Sequence, residues 1–394
     1  MRLFTPAEKQ FMQEHLHTDA PSLMLQASRY PDLPVLELVQ QLQARQKAAT
    51  KLPTWTNHPD VVFPMALSVE QSSSETTAAY KASLISGNLL VDLTGGFGID
   101  SYFFSKSFAR VVHVEQQQEL SEVAAHNFRL LQAANIETAH ATAEAFLARF
   151  EGKADVIYLD PARRGGREER VHLLQHCEPD VLRLLPILFQ KAEVVLLKTS
   201  PMLDIDLALQ QLQHVNKVWV VALQNECKEV LYQLTSRPAP AAPTITAINL
   251  LPGKQAQVLS FSEEEEERAT VAYADAGAFV YEPNSAILKA GAYKYLAQAY
   301  QLAKLHPNSH LYTSDKLLPD FPGRAFRCLA THRYNKKELL QLLPNKKANI
   351  TVRNFPESVA DIRRKTCIKE GGTAYLFFTT DRHQKPVVLF CEKP

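Results

Sequence analysis

Val91-Asp92-Leu93-Thr94-Gly95-Gly96-Phe97-Gly98 is the stretch on which the fold turns. An apolar strand ending in an acid, a turn with three glycines and then a helical stretch form the first strand-loop-helix of an open α/β sheet with a nucleotide-like ligand. Glycine lets the backbone come close to a ligand, and the helix N-terminus that follows favours a negatively charged group. Two other readings compete: a tight turn with no ligand, and a dinucleotide fingerprint. The latter asks for Gly or Ala where this chain has Ser101.

Outward from that turn, short apolar runs alternate with amphipathic stretches. Strands are predicted at 89–93, 111–114, 138–141, 156–159, 194–197 and 218–222, and helices at 99–107, 117–133, 143–150, 178–190 and 203–213. The alternation predicts a parallel sheet with helices on both faces. The run 228–234 follows the last of these strands too closely for a helical crossover, so it should return antiparallel as a hairpin. Upstream, Thr5, Pro6 and Glu8 spell a capping-box start, Asp32 offers a second cap, 52–64 reads as an ordered connection, and one helix is expected from Ser68 to Leu84.

Pro238-Ala239-Pro240-Ala241-Ala242-Pro243 predicts an extended linker and a domain boundary. Beyond it, the acidic run Glu263 to Glu267 is expected as a solvated loop and a helix is expected from Asn284 to Leu305. A second αβ module follows with strands near 324–330, 349–354, 374–380 and 386–391.

The composition, 46% hydrophobic and 22% charged with a net charge of +1, fits a globular protein of two or more domains. No apolar run approaches a membrane span, and Met1 to Glu8 holds no signal-peptide-like stretch, so no membrane partner and a cytoplasmic location are expected. Cys177, Cys227, Cys328, Cys367 and Cys391 are widely spaced, which predicts reduced thiols and no metal site. Charge is uneven: from Arg324 to Pro394 there are 15 Lys and Arg against 6 Asp and Glu. Such a surplus either attracts phosphate or is a solvated face.

Directly after the fourth strand stands Asp160-Pro161-Ala162-Arg163. Here the chain resembles the class I methyltransferases that act on nucleic-acid bases, whose fourth motif is Asp or Asn, Pro, Pro, then an aromatic or Arg. The resemblance implies S-adenosylmethionine as cofactor, a sheet closed by an antiparallel seventh strand, and Asp160, Pro161 and Arg163 as the residues facing the acceptor. It also implies that Asp92, Thr94, Gly95, Gly96 and Gly98 surround the cofactor, that Glu115 at the end of the second strand takes the ribose hydroxyls, and that Thr142 and Ala143 lie beside the adenine. Ala162 and Arg163 depart from the usual pattern. Gln71 to Thr77 is similar to the motif that closes over the methionine end. Uridine C5 methyltransferases carry a catalytic Cys beyond the fifth strand, where this chain has Lys198-Thr199-Ser200-Pro201, so covalent attack on a pyrimidine is disfavoured. The loop Arg164 to Arg170 either clamps phosphate or is solvated.

Val352-Arg353-Asn354-Phe355-Pro356 and Ile368-Lys369-Glu370-Gly371-Gly372-Thr373-Ala374-Tyr375 resemble the THUMP-like C-terminal domain of a bacterial family of methyltransferases. That family has a ferredoxin-like domain before it and implies RNA as partner. The expected organisation is a helical region 1–67, a Rossmann-like methyltransferase domain 68–237, a linker and ferredoxin-like α+β domain 244–323, and a THUMP-like basic domain 324–394. The expected function is methyl transfer to a base in structured RNA. The alternatives are an RNA-binding scaffold with a silent methyltransferase fold, or a methyltransferase acting on a protein or small molecule.

Overall fold

A computed structural model describes residues 3–64, 66–163, 174–237, 242–343 and 345–394, with the backbone alone at 66–68, 163, 337 and 338. The chain divides into two compact units, Met1–Asn216 with Val230–Pro240, and Lys217–Glu229 with Ala241–Pro394.

The first unit opens with α1 (Pro6–Glu14), α2 (Ala20–Leu25), α3 (Val35–Ala48) and α4 (Pro53–Thr56). The capping box starts α1, with Thr5 Oγ1 accepting from Glu8 N and the Glu8 carboxylate from Thr5 N. The second cap is elsewhere than expected: Asp19, not Asp32, caps a helix, accepting from Ser22 N at 2.9 Å, while α3 begins after Pro34 with no side-chain cap. Phe11, Leu23, Leu38 and Leu42 form a small core among these helices. The connection through 52–64 is ordered by Arg45, whose guanidinium donates to the carbonyls of Thr56, His58, Pro59 and Val61. The helix expected from Ser68 to Leu84 is two, α5 (Ala66–Gln71) and α6 (Glu75–Leu84), because Ser74 caps a fresh start.

Next come β1 (Gly87–Asp92), α7 (Ile99–Phe104), β2 (Phe108–Glu115), α8 (Gln118–Leu130), β3 (Ile136–His140), α9 (Ala143–Arg149), β4 (Ala154–Leu159), β5 (Ala162–Arg163), β6 (Cys177–Glu178), α10 (Val181–Lys191), β7 (Ala192–Thr199) and α11 (Ile205–Gln211). They are followed by β8 (Val215–Leu223), β9 (Glu226–Thr235), β10 (Thr244–Leu250) and β11 (Gln257–Ser262). The sheet order is β11-β10-β8-β9-β7-β4-β1-β2-β3. β1 pairs parallel with β2 and β4, and β4 parallel with β7. β9 runs antiparallel to β7, as the short return after β8 predicts. Leu90, Val91, Ile157, Leu159, Leu196 and Leu197 are buried, as expected of central parallel strands covered on both faces.

The division between the two units falls at Pro240–Ala241, within the stretch Pro238 to Pro243, and the strands after it still belong to the first sheet. β10 pairs parallel with β8 over seven residues and β11 closes antiparallel on β10, so the first sheet continues beyond the linker. An edge strand's free N–H and C=O groups seek a partner, and the chain after the linker supplies one. Of the linker itself, residues 238–241 lie outside the described residues.

Then follow α12 (Glu263–Arg268), β12 (Phe279–Pro283), α13 (Ser285–Ala290), α14 (Lys294–Ala299), β13 (Ala303–Lys304), β14 (Tyr312–Ser314), β15 (Gly323–Arg333), α15 (Lys336–Leu342), β16 (Asn349–Val352), α16 (Val359–Thr366), β17 (Tyr375–Thr380) and β18 (Pro386–Glu392). The acidic run is a helix, not a loop: Ser262 and Glu265 make a capping box, and acids in a first turn favour the helix dipole. The long helix expected from Asn284 breaks at Gly291, which takes a left-handed φ of 79°. The second sheet has the order β13-β14-β12-β15-β18-β17-β16, its core built on Val280, Phe326, Phe377 and Leu389 on one side and Ile362, Leu376, Phe378 and Val388 on the other.

Candidate functional site

The glycine turn joins the end of β1 to α7, and hydrogen bonds knit it to the ends of β2 and β4. Asp92, fully buried, accepts from Thr94 N (3.1 Å) and Ser101 Oγ (2.6 Å). Ser101, which departs from the dinucleotide pattern, thus serves as a bridge: its hydroxyl also lies 2.9 Å from His113 Nδ1. With the hydroxyl proton given to Asp92, His113 donates from Nδ1. Burial pushes the Asp92 carboxyl up to about 7, and burial pushes the His113 imidazole down to about 3.

The turn's backbone is shaped by what surrounds it. A Cβ on Gly95 would stand 2.2 Å from the His113 ring, and one on Gly98 would stand 2.5 Å from Phe128. Gly96 differs: its φ is +56° and a Cβ there would meet nothing nearer than Thr94 O at 3.8 Å, so the turn faces open space at this point. The Gly96 N–H donates to Glu115 Oε2 (2.8 Å) and Gln117 N to Glu115 Oε1 (2.7 Å), which fixes the carboxylate at the end of β2. Ala141 N donates to Glu115 O, bringing the end of β3 alongside; there Thr142 caps α9 through Ala145 N, and Ala143 is buried.

The end of β4 is tied to the turn by Leu93 N donating to Tyr158 O at 3.0 Å and by Asp160 N donating to Thr94 Oγ1 at 2.6 Å. The Asp160 side chain, about one third exposed, forms an ion pair with Lys198 at the end of β7. Lys198 opens the stretch Lys198-Thr199-Ser200-Pro201, which holds no cysteine, and nothing in its local sequence marks the pairing with Asp160. Pro161 is half-buried after it, and Ala162–Arg163 pairs antiparallel with Cys177–Glu178. The Arg163 side chain and the loop Arg164 to Arg170 lie outside the described residues.

Behind the turn lies a second group, to which the stretch Gln71 to Thr77 contributes Ser73. Asp100 accepts from Ser73 Oγ (2.9 Å) and Tyr158 Oη (2.8 Å) and stands 3.3 Å from the Nζ of fully buried Lys81. Burial raises the Asp100 carboxyl, but Lys81, Lys198 and these hydrogen bonds outweigh it and hold it low. The signal was a lysine on an otherwise small-residue helix face, legible only once α6 is seen against α7. Of the predicted site residues, Asp92, Thr94, Gly95, Gly96, Gly98, Glu115, Thr142, Ala143, Asp160 and Pro161 therefore gather at the C-terminal ends of β1 to β4. Ligands of open α/β sheets bind at that edge.

Among the C-terminal basic residues, several are occupied. Arg363 donates to the carbonyls of Ile368 and Ala348, Arg364 pairs with Asp361 and Lys365 with Glu357. Lys346, Lys347 and Lys369 are exposed side by side, linked through Lys369 N to Lys346 O. Among the described residues no helix is long and apolar enough to cross a membrane.

A sheet of order β8-β9-β7-β4-β1-β2-β3 with one antiparallel member, a glycine turn after β1 and an Asp-Pro loop after β4 define a Rossmann-like methyltransferase. Comparison with known proteins agrees. Residues 279–322 match a ferredoxin-like domain family and residues 323–393 a THUMP domain-like family. A crystal structure from Porphyromonas gingivalis W83, described as a candidate methyltransferase, is 33% identical, covers 100% of both chains and superposes with a TM-score of 0.87. A curated relative from Thermotoga maritima, described as an uncharacterized RNA methyltransferase, is 31% identical over 102 residues, or 26% of this chain. The chain spans 23% of that relative's length. The chain belongs to the family of methyltransferases with a C-terminal THUMP-like domain.

Proposed function

We propose that the protein transfers the methyl group of S-adenosylmethionine to a base in structured RNA. The observation that carries the reading is the Asp160 N to Thr94 Oγ1 bond, because it couples the acceptor-side loop to the cofactor-side turn at 2.6 Å. S-adenosylmethionine, when bound, supplies a methyl group already activated on a sulfonium, so the protein's work is chiefly orientation.

The residues fit that cofactor. The open space before Gly96 admits a ligand against the backbone, and Glu115, with one backbone donor on each oxygen, keeps lone pairs for two ribose hydroxyls. Asp92 and Thr94 stiffen the turn, and Thr142 and Ala143 would border the adenine. Asp160 would accept a hydrogen bond from the acceptor's amino group, with Lys198 on its other side steadying the carboxylate. Pro161 limits the loop's freedom, and Arg163 would meet base or phosphate. Support for RNA comes from the THUMP domain-like match and the exposed Lys346, Lys347 and Lys369. A cytoplasmic site of action is part of the same proposal.

Calorimetric titration with S-adenosylhomocysteine tests the cofactor site: wild type should bind and Gly96→Asp should not. Equal binding by both would overturn the assignment. Transfer of labelled methyl from S-adenosylmethionine to total RNA tests the acceptor; label in protein or small molecules alone would overturn it.

A further inference from the structure

The ferredoxin-like domain holds a second polar cluster, which the proposed methyl transfer does not use. β13 and β14 form a hairpin closed by Leu305 N to Leu311 O, with His306 and His310 at the two ends of its turn. Lys304, 2% exposed, reaches into that turn, its Nζ donating to Pro307 O at 2.7 Å. The His310 ring stacks on Tyr293 with centroids 3.7 Å apart, and the Lys304 ammonium is 5.6 Å from the same ring. Asn354 Nδ2, one residue from Arg353, lies 2.9 Å from His306 Nδ1.

What distinguishes the cluster is an excess of donors. His306 Nδ1 accepts from Asn308 N, so its proton is on Nε2, which is buried with no partner among the described residues. Arg353 Nε is likewise buried, as is His310 Nδ1, a donor in one tautomer of the ring, and neither has a partner among the described residues. The nearby carboxylates are occupied: Glu282 by Arg324 and Arg353, and Glu266 by the backbone N–H groups of Lys294 and Tyr295. Burial, and after it the charges of Lys304 and Arg353, press His310 down to about 4. Buried donors without acceptors are costly, and an anion is the partner that donors beside Lys304 and Arg353 call for.

We infer that the Lys304–His310 hairpin with Arg353 is a phosphate-binding site, entered past half-buried His310 and the part-exposed Arg353. The phosphate is either a free or terminal monoester or a diester of an RNA backbone. The test is nitrogen-detected imidazole spectroscopy of the full chain labelled at histidine, with His306 and His310 assigned through H306Q and H310N. Inorganic phosphate should shift both resonances saturably, and Lys304→Met should weaken that response roughly tenfold. If Lys304→Met does not fold, H310N serves instead, read at His306. A 5′-phosphorylated oligoribonucleotide and its 5′-hydroxyl twin separate the sources: a response to both assigns the diester, to the first alone the monoester. No saturable shift at His306 or His310 with any of the three probes overturns the site. The readout needs no methyl transfer, so it stands or falls apart from the proposed activity.

Discussion

The glycine turn and the 304–310 turn each gather polar side chains, yet they are balanced differently. Around the first, Asp92, Asp100, Glu115 and Asp160 each meet donors from the turn, from Lys81 and Lys198, or from neighbouring hydroxyls. Around the second, imidazole, guanidinium and ammonium groups gather with their nearby carboxylates already engaged. A network satisfied at its carboxylates, even with His113 Nε2 left without a partner among the described residues, fixes geometry before any ligand arrives, which suits positioning chemistry. A donor-rich one keeps its binding capacity for a charged guest.

Asp160 is where this contrast is most exposed to experiment. If the first site only positions, Asp160→Ala should lower methyl transfer roughly a hundredfold or more while leaving S-adenosylhomocysteine affinity nearly unchanged. Loss of cofactor binding in calorimetry would mean that the aspartate holds the turn and not the acceptor. Lys198→Ala should fall between this variant and wild type in rate, and Lys198→Arg should recover part of the loss.

A pH experiment comes next in size. A carboxyl raised from 3.8 to about 7 on folding keeps a proton that the unfolded chain releases, so Asp92 makes stability fall as pH rises through that window. His113, lowered from 6.5 to about 3, does the reverse, with stability gained as pH rises to 6.5 and lost below it. Joined through Ser101, the two oppose each other between about pH 4 and 6.5. Asp92→Asn should uncover the histidine, so that urea unfolding shows the variant gaining up to about 1.4 kcal/mol per pH unit relative to wild type across that range. Parallel pH profiles for the two proteins would refute the coupling.

Smaller effects follow from packing and from surface charge. Gly95→Ala must move the His113 ring and should cost about 1–3 kcal/mol in chemical denaturation. Lys346→Glu with Lys369→Glu should flatten the salt dependence of RNA binding, by about one unit of log–log slope for each phosphate no longer neutralised. Arg363→Ala, by contrast, should lower thermal stability with little change in that slope, since its guanidinium bonds Ile368 and Ala348 carbonyls.

Legibility differs from residue to residue. The alternation of apolar runs reveals the parallel strands, and the two-residue turn after β8 reveals the antiparallel return, because both are local facts of periodicity and chain length. Asp92, Gly96 and Glu115 can be named because each ends or follows a strand, and strand ends converge in such sheets. Lys198 and Asp100 cannot, since their partners lie 38 residues away at Asp160 and 27 away at Ser73. The helix at Glu263 and the break at Gly291 escape a reading by composition, because a cap and a left-handed residue outweigh it there.

The glycine turn, the strand and helix periods, the Asp-Pro loop and the basic C-terminal stretch are all written in adjacent residues, and the chain specifies them before it folds. That β10 and β11 extend the first sheet, that Lys198 pairs with Asp160, and that Arg363 is held by the carbonyls of Ile368 and Ala348 became visible only in three dimensions. Folding also gathers Lys304, His306, His310 and Arg353 around one turn. Pairing and burial depend on which distant segments meet, and only the folded chain fixes those meetings.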